Sequence, residues 1–344
     1  MLDVKRSYRW LCLSILAFVL VALSSGQGMA AQEGAGPTVD GGERWLSFGS
    51  GTAIELPSLA VVDAGGGAID LAADLPGCLV EEVETEVGTF SRFYGEGYGH
   101  ATKFGLPALP VLRREVEIPF GATVSLEVMA AEYGEHSLDE LDLGAIYPLQ
   151  PPVPKTPGAV EAAPFVVDTD FYWGGSRYPA APVTLGEEYV VRGHRIQVVE
   201  VWPVAYDPAA GTVRLYSHVE LRLGLEGSDL ALTQALARRY ASPAFEPWLS
   251  SRVLNYNQGR PPVRFDGTAQ VGYLIITTDA YYNAMLPFVD LQEQRGRDVT
   301  MTRLSEIPGG ATTTAIKVYI ETAYDTWPLP PSYVLLVGDT NTLP

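Results

Sequence analysis

Two cysteines, Cys12 and Cys78, and four histidines, His100, His136, His194 and His218, are the residues from which this sequence could build a nucleophile with its base or a soft metal site. A thiol attacks as the thiolate, so it needs an imidazole or a positive field beside it. Nothing local to Cys78, in DLPGCLV, supplies one, and it reads as a small buried hydrophobe. Cys12 sits behind Leu11 inside an apolar stretch and is a poor lipid-attachment cysteine. The histidines have no metal-type spacing, and His218 falls on the outward face of a strand, where it reads as simply exposed. Oxygen ligands are more abundant. The run EEVETE (Glu81 to Glu86) and the pair Asp168 and Asp170 could hold calcium, but neither has the spacing of a known cage, so both read as solvated faces and no cofactor is required. Asp339 follows an apolar run in SYVLLVGDTNTLP and is a candidate strand-end acid; the competing reading is a turn or cap aspartate. Gly-x-Ser-x-Gly and His-Glu-x-x-His are absent, which removes two common hydrolase plans. The turn TTDAYY lacks the glycines a pyrophosphate needs.

The elements that must position these residues fall into two regions. From Trp45 to about Leu225 the apolar period is two. In GTVRLYSHVELRL, Val213, Leu215, Val219, Leu221 and Leu223 share one face, while Arg214, Tyr216, His218, Glu220 and Arg222 share the other. That is a strand with one buried and one wet face. RIQVVEVWPVAY reads as its hairpin partner across the turn YDPAAG. PLQPPVPKTPG is an extended connector. LALTQALARRY reads as a short helix with Ser228 as N-cap. Residues 241 to about 269 have no steady period and read as a linker, with Phe245 and Trp248 packing part of it down. From Val271 the order becomes strand, helix, strand, helix, strand. VGYLIIT is followed by a helix capped by Thr277 or Thr278, carrying Met285, Phe288 and Val289 on one face, interrupted by Pro287 and ended by Gly296. VTMTRL, the helix in TTTAIKVYIETAYDTW and the strand YVLLVGD complete the set. The expected fold is a β-rich, sandwich-like domain followed by an incomplete parallel βαβαβ layer.

Lys5, Arg6 and Arg9 precede the apolar stretch Trp10 to Leu23, whose 14 residues are fewer than a membrane span needs. With Gly28-Met29-Ala30-Ala31 behind it, this reads as a secretory signal cut after Ala30 or Ala31, the alternative being an uncleaved anchor. Removing residues 1–31 takes away three bases and one acid, so the net charge moves from −18 to −20. Such an acidic chain lacks the basic footprint that nucleic acid or an anionic membrane requires. One cysteine then remains, so no internal disulfide can form and packing must hold the cores. The expected location is secreted or cell-surface, with no membrane span after signal removal.

YLIITTDAYYNAMLPFVDLQEQRGRDV, TTTAIKVYIETAYDTW and SYVLLVGDTNTLP resemble, in order and spacing, the opening of the gingipain-type cysteine peptidase domain over residues 271 to 344. FGLPALPVLRREVEIPFGA (residues 104 to 122) and RGHRIQVVEVWPVAYDPAAGTVRLYSHVELRL (residues 192 to 223) resemble the propeptide domain of the same family. The resemblance implies a catalytic domain of two caspase-like α/β subdomains, with the nucleophilic cysteine and its histidine in the second. The chain would then stop inside the first subdomain, and Cys78 matches no catalytic position.

The expected organisation is a signal peptide (1–31), a flexible leader (32–43), a β-rich propeptide (44–240), a linker (241–269) and the start of the peptidase domain (270–344). The expected function is the N-terminal portion of a secreted cysteine endopeptidase zymogen. Its propeptide would keep its own catalytic domain latent, and protein or peptide substrates would be the other partners. The alternative is an exported β-sandwich binding or surface-assembly protein with a degenerate peptidase-like part. Among the linker arginines Arg252, Arg260 and Arg264, Arg260 precedes a proline and Arg252 lies in apolar WLSSRVL, so Arg264 is the candidate activation cleavage.

Overall fold

A computed structural model of the chain describes residues 43–49, 54–159, 163–256, 271–339 and 342–343. They form two compact units. The first takes in residues up to Val191, Arg195–Leu230 and the short segment from Val253; the second takes in Arg192–His194, Ala231–Arg252 and the residues from Val271 onward.

The first unit is strand-rich, with strands in three sheets rather than the two of a simple sandwich. One sheet orders β1 (Arg44–Ser47), β4 (Gly77–Thr85), β5 (Gly88–Tyr94) and β9 (Ala145–Ile146). A second orders β10 (Val183–Val191), β11 (His194–Val201), β7 (Pro110–Ile118) and β6 (Gly99–His100). The third orders β12 (Val204–Asp207), β13 (Thr212–Glu226), β3 (Ala68–Asp74) and β2 (Ser58–Gly65), with β8 (Thr123–Ser137) on the other edge of β13. One apolar core serves all three, drawing Leu46 and Val80 from the first, Leu112 and Val199 from the second, and Leu71 and Leu221 from the third. A short helix, α1 (Thr169–Gly174), is capped by Asp168, whose carboxylate accepts from Phe171 N at 3.0 Å.

Strand β13 shows how the alternation works. Val213, Leu215, Val219, Leu221 and Leu223 are all buried. The outward residues meet opposite charges at registered cross-strand positions: Arg222 against Asp70 at 2.7 Å and Arg214 against Glu135 at 2.6 Å. Such pairs fix the register that apolar alternation alone leaves to the turns. The expected hairpin is half right. β12 pairs with the start of β13, Val204 opposite Leu215. RIQVVEV instead belongs to β11 and pairs antiparallel with β7 in another sheet, Arg195 opposite Ile118 through Val201 opposite Leu112. The break between β11 and β12 is Trp202-Pro203, where proline has no N–H to continue a ladder.

In the second unit, β14 (Val271–Thr277) lies between β15 (Arg297–Arg303) and β16 (Pro331–Val337), all parallel. Leu274, Ile275, Ile276 and Thr277 are fully buried, as a central parallel strand requires. The crossovers are α4 (Tyr282–Gln294) and α5 (Thr313–Thr326). Helix α5 starts on Thr312, whose hydroxyl accepts from Ala315 N at 3.1 Å, and buries Ala315, Ile316 and Ala323. Helix α4 turns the expected face inward, with Met285, Phe288 and Val289 partly buried and Pro287 inside the helix. Its start corrects the sequence reading. Thr277 is still in β14, Tyr281 N donates to Thr278 O at 3.1 Å, and the N-cap is Tyr281 without a side-chain bond. The turn from strand to helix uses the residues that would have capped it.

Two further helices precede β14, the first of them expected from LALTQALARRY and the second not. α2 (Leu230–Arg239) begins a residue too late for a Ser228 cap; the Ser228 hydroxyl donates instead to Leu225 O at 3.0 Å. α3 (Glu246–Arg252) lies inside the stretch expected to be linker and buries Leu249. From Ala231 on, both helices belong to the second unit, where Tyr240 stacks on Tyr324 with ring centroids 4.8 Å apart and Ser242 shares a 2.7 Å hydrogen bond with Ser332. Arg239 donates to Trp327 O at 2.6 Å. The corner between α5 and β16 is therefore covered by chain that precedes β14 in sequence.

Candidate functional site

In an open parallel sheet, working residues gather beyond the carboxyl ends of the strands. Here those ends are Thr277, Arg303 and Val337. Beyond β14, Asp279 accepts from the Ser305 hydroxyl, which follows β15, at 2.6 Å. Arg303 is fixed three ways: its Nη1 donates to Glu306 Oε1 at 2.8 Å, its backbone N–H to Glu306 Oε2 at 2.9 Å, and its guanidinium lies 3.6 Å from the Tyr282 ring centroid. The backbone bond from Arg303, then its side chain, holds the Glu306 carboxyl below its usual range. Thr278 is buried between these elements, and its Oγ1 has no hydrogen-bond partner. Sequence reading passed over this cluster; its one signal is that polar residues flank each strand end.

Asp339, the candidate acid beyond β16, is tied into a local turn. Its Oδ1 accepts from the Thr342 hydroxyl at 2.8 Å, and its N–H donates back to Thr342 Oγ1 at 3.0 Å. Asp339 O also accepts from Leu343 N at 2.8 Å. These bonds orient the carboxylate toward its own turn. Residues 271–344 include no histidine and no cysteine, and the Ser305–Asp279 bond ties together the loops that follow β14 and β15.

The remaining candidates are scattered through the chain. Cys78 is completely buried in the first unit, and burial pushes its thiol pKa up, away from thiolate. His194 is buried and His218 is bonded to Asp74, which corrects the expectation that His218 is simply exposed. Asp168 caps α1, and Glu81 pairs with Arg92 across β4 and β5. Among the described residues no three of histidine, cysteine, aspartate and glutamate are placed to hold a metal ion. Also among them, no helix is long and apolar enough to cross a membrane. Ala30, Ala31 and Arg264 lie outside the described residues.

A strand-rich unit ahead of a parallel strand–helix layer defines a two-part chain whose parts match two family models in that order. Residues 69–238 match the C25 propeptide and residues 267–344 match peptidase family C25. The chain belongs to that family: it is a gingipain-type propeptide followed by the start of the peptidase domain. It is 26% identical over 278 residues to Lys-gingipain of Porphyromonas gingivalis, covering 76% of this chain and 15% of that protein. Against gingipain R1 of the same organism it is 26% identical over 267 residues, covering 76% and 26%, and against gingipain R2 25% identical over 265 residues, covering 75% and 33%. The chain thus spans a third or less of the length of these relatives. A solved structure concerning zymogenic latency of gingipain K aligns with 54% of this chain and all of its own, at a TM-score of 0.46 and 21% identity. A complex of the RgpB pro- and mature domains aligns with 58% of this chain and 97% of its own, also at 0.46, with 20% identity.

Proposed function

We propose that the chain is the front of an exported cysteine endopeptidase precursor whose first unit keeps the peptidase latent. One observation carries this reading: a propeptide match and a peptidase match follow each other in one chain, in the order a zymogen needs. The same order disfavours a surface-assembly module with a degenerate peptidase part. In this reading the parallel layer is the beginning of a caspase-like subdomain. The Cys–His pair is supplied by peptidase sequence outside residues 1–344, and its imidazole draws the thiol toward thiolate. Residues 1–31 act as a signal cut after Ala30 or Ala31, the product works outside the cell on protein or peptide substrates, and activation cuts after Arg264. Asp339 shapes the turn beyond β16, and calcium is left as a possible ligand of the parent enzyme.

The test is inhibition in trans. Residues 44–256 are the segment to express, because the stretch from Val253 belongs to the first unit. Added to the mature parent enzyme, they should abolish peptide hydrolysis at about equimolar amounts. Full activity in the presence of a folded, micromolar excess would overturn the reading.

A further inference from the structure

Strand β7 has β11 on one edge and, over Pro110 and Val111 only, β6 on the other. Along the rest of that second edge, the backbone groups of Glu115 and Glu117 point away from β11. An open edge of this kind invites another strand. The chain covers it with the turn 253–256, joined to β7 by a single bridge. Val253 bridges Glu115 in parallel, and Leu254 N donates to Glu115 O at 2.9 Å. Asn255 then continues the ladder with its side chain: its Oδ1 accepts from Glu117 N at 2.7 Å and its Nδ2 donates to Glu117 O at 2.8 Å. A primary amide presents one acceptor and one donor side by side, so it can satisfy both backbone groups of a single residue as a neighbouring strand would. Val253 and Asn255 are buried, Leu254 packs on the core, and Tyr256 N donates to Val253 O at 3.2 Å.

We propose that Asn255 is a backbone clamp that holds the turn 253–256 against the edge of β7 and withholds the Arg252–Val253 bond from proteolysis, so that the maturation cut falls after Tyr256. The assignment rests on the zymogen reading for its biological meaning, not for its geometry. A protease binds substrate as an extended segment with its backbone groups free to pair. Here Leu254 N–H is committed to Glu115 O and Val253 O to Tyr256 N, and Arg252 is the last residue of α3. Cleavage at Arg252–Val253 therefore requires the turn to come off β7 and open first. An arginine followed by an ordinary residue is thereby removed from the set of processing sites without any change to its own side chain.

The experiment is trypsin digestion of the purified chain, with the peptide Glu246 to Gln258 as the unprotected reference and mass spectrometry reading the Arg252–Val253 cut. In the native chain this bond should be cut roughly 100-fold more slowly than in the peptide, because cleavage must wait for local opening. Asn255→Ala should speed it about tenfold, as expected from losing two hydrogen bonds to buried backbone. Asn255→Asp keeps the acceptor for Glu117 N–H, loses the donor, and should fall between. Hydrogen exchange separates the clamp from general loosening: the Glu117 amide should lose protection in Asn255→Ala and keep most of it in Asn255→Asp. A native cut within about threefold of the peptide rate overturns the proposal, as does an Asn255→Ala chain cut no faster than wild type. If Asn255→Ala fails to fold, the wild-type comparison and Asn255→Asp decide it. These rates are read with an external protease, so failure of the latency test leaves them standing. A matured parent enzyme beginning at Val253 sinks the clamp alone.

Discussion

His218 Nδ1 lies 2.8 Å from Asp74 Oδ1, across a register in which the two residues face each other on β13 and β3. Glu220 Oε1 is 3.6 Å from the other ring nitrogen, and Glu132 faces His218 from β8. The hydrogen bond to Asp74 is the largest cause raising the His218 pKa above its ordinary value, opposed by partial burial. A folded pKa above the unfolded one means the pair's contribution is fully present below about pH 6.5 and fades as pH rises through the raised value. The contribution is small, because Asp74 is largely exposed. An NMR titration should place His218 above about 6.5, and Asp74→Asn should move it down. An unmoved His218 in Asp74→Asn would contradict this account of the pair.

Two glycines separate backbone strain from collision. Gly193 has φ of 75°, and a Cβ there would lie 2.3 Å from Leu236 O. Gly296, after α4, has φ of 79° with nothing within 4 Å of the same position. Gly296→Ala should therefore cost about 1 kcal/mol, from the left-handed conformation alone. Gly193→Ala should cost at least about 3 kcal/mol, since α2 must move as well. Urea melts of the two variants check this; equal costs would mean the approach to Leu236 relaxes freely.

Arg192 is buried, with its guanidinium 4.5 Å from the Phe245 ring centroid and 5.3 Å from that of Tyr324, and it donates to Pro331 O at 3.0 Å. It keeps a φ of 50°, a conformation that an ordinary side chain adopts at a cost. Arg192→Ala should destabilise the second unit by about 2–3 kcal/mol through lost cation–π contact and hydrogen bonding. Arg192→Lys should recover less than half, because an ammonium lacks the flat face. Arg192→Gly should be about 1 kcal/mol milder than Arg192→Ala by relieving the backbone. Thermal melts followed in the near ultraviolet give the order directly, and a lysine variant as stable as wild type would rule out stacking.

What the sequence made visible, and what it did not, follows from distance along the chain. The buried face of β13 and the order of β14 to β16 with their crossovers were legible because alternation and helical period are local; Tyr216, assigned to the wet face, is buried beside the irregularity between Tyr216 and His218. β11 went to the wrong partner because its neighbour β7 lies far upstream, while the adjacent β12 offered a plausible turn. Helix α3 is too short to show a period, with Leu249 its one buried residue. His218 was read as merely exposed, and Arg192 and Asn255 were passed over, for the same reason: Asp74 is 144 residues from His218, and Pro331 and Glu117 are 139 and 138 residues from their partners. Family resemblance supplied what spacing could not, by naming the family the parallel α/β layer belongs to.

The central claim is that these residues restrain and begin a cysteine peptidase whose nucleophile is elsewhere in the precursor. Cys78 is the thiol that could contradict it from within, and its burial and raised pKa both argue against reactivity. The direct measurement is labelling of the full-length precursor with a thiol-alkylating peptide, before and after separation of the first unit, with the labelled residue found by mass spectrometry. The account predicts no label before separation and, afterwards, a label on a cysteine outside residues 1–344. Label on Cys78, or equal labelling of the intact precursor, would contradict it.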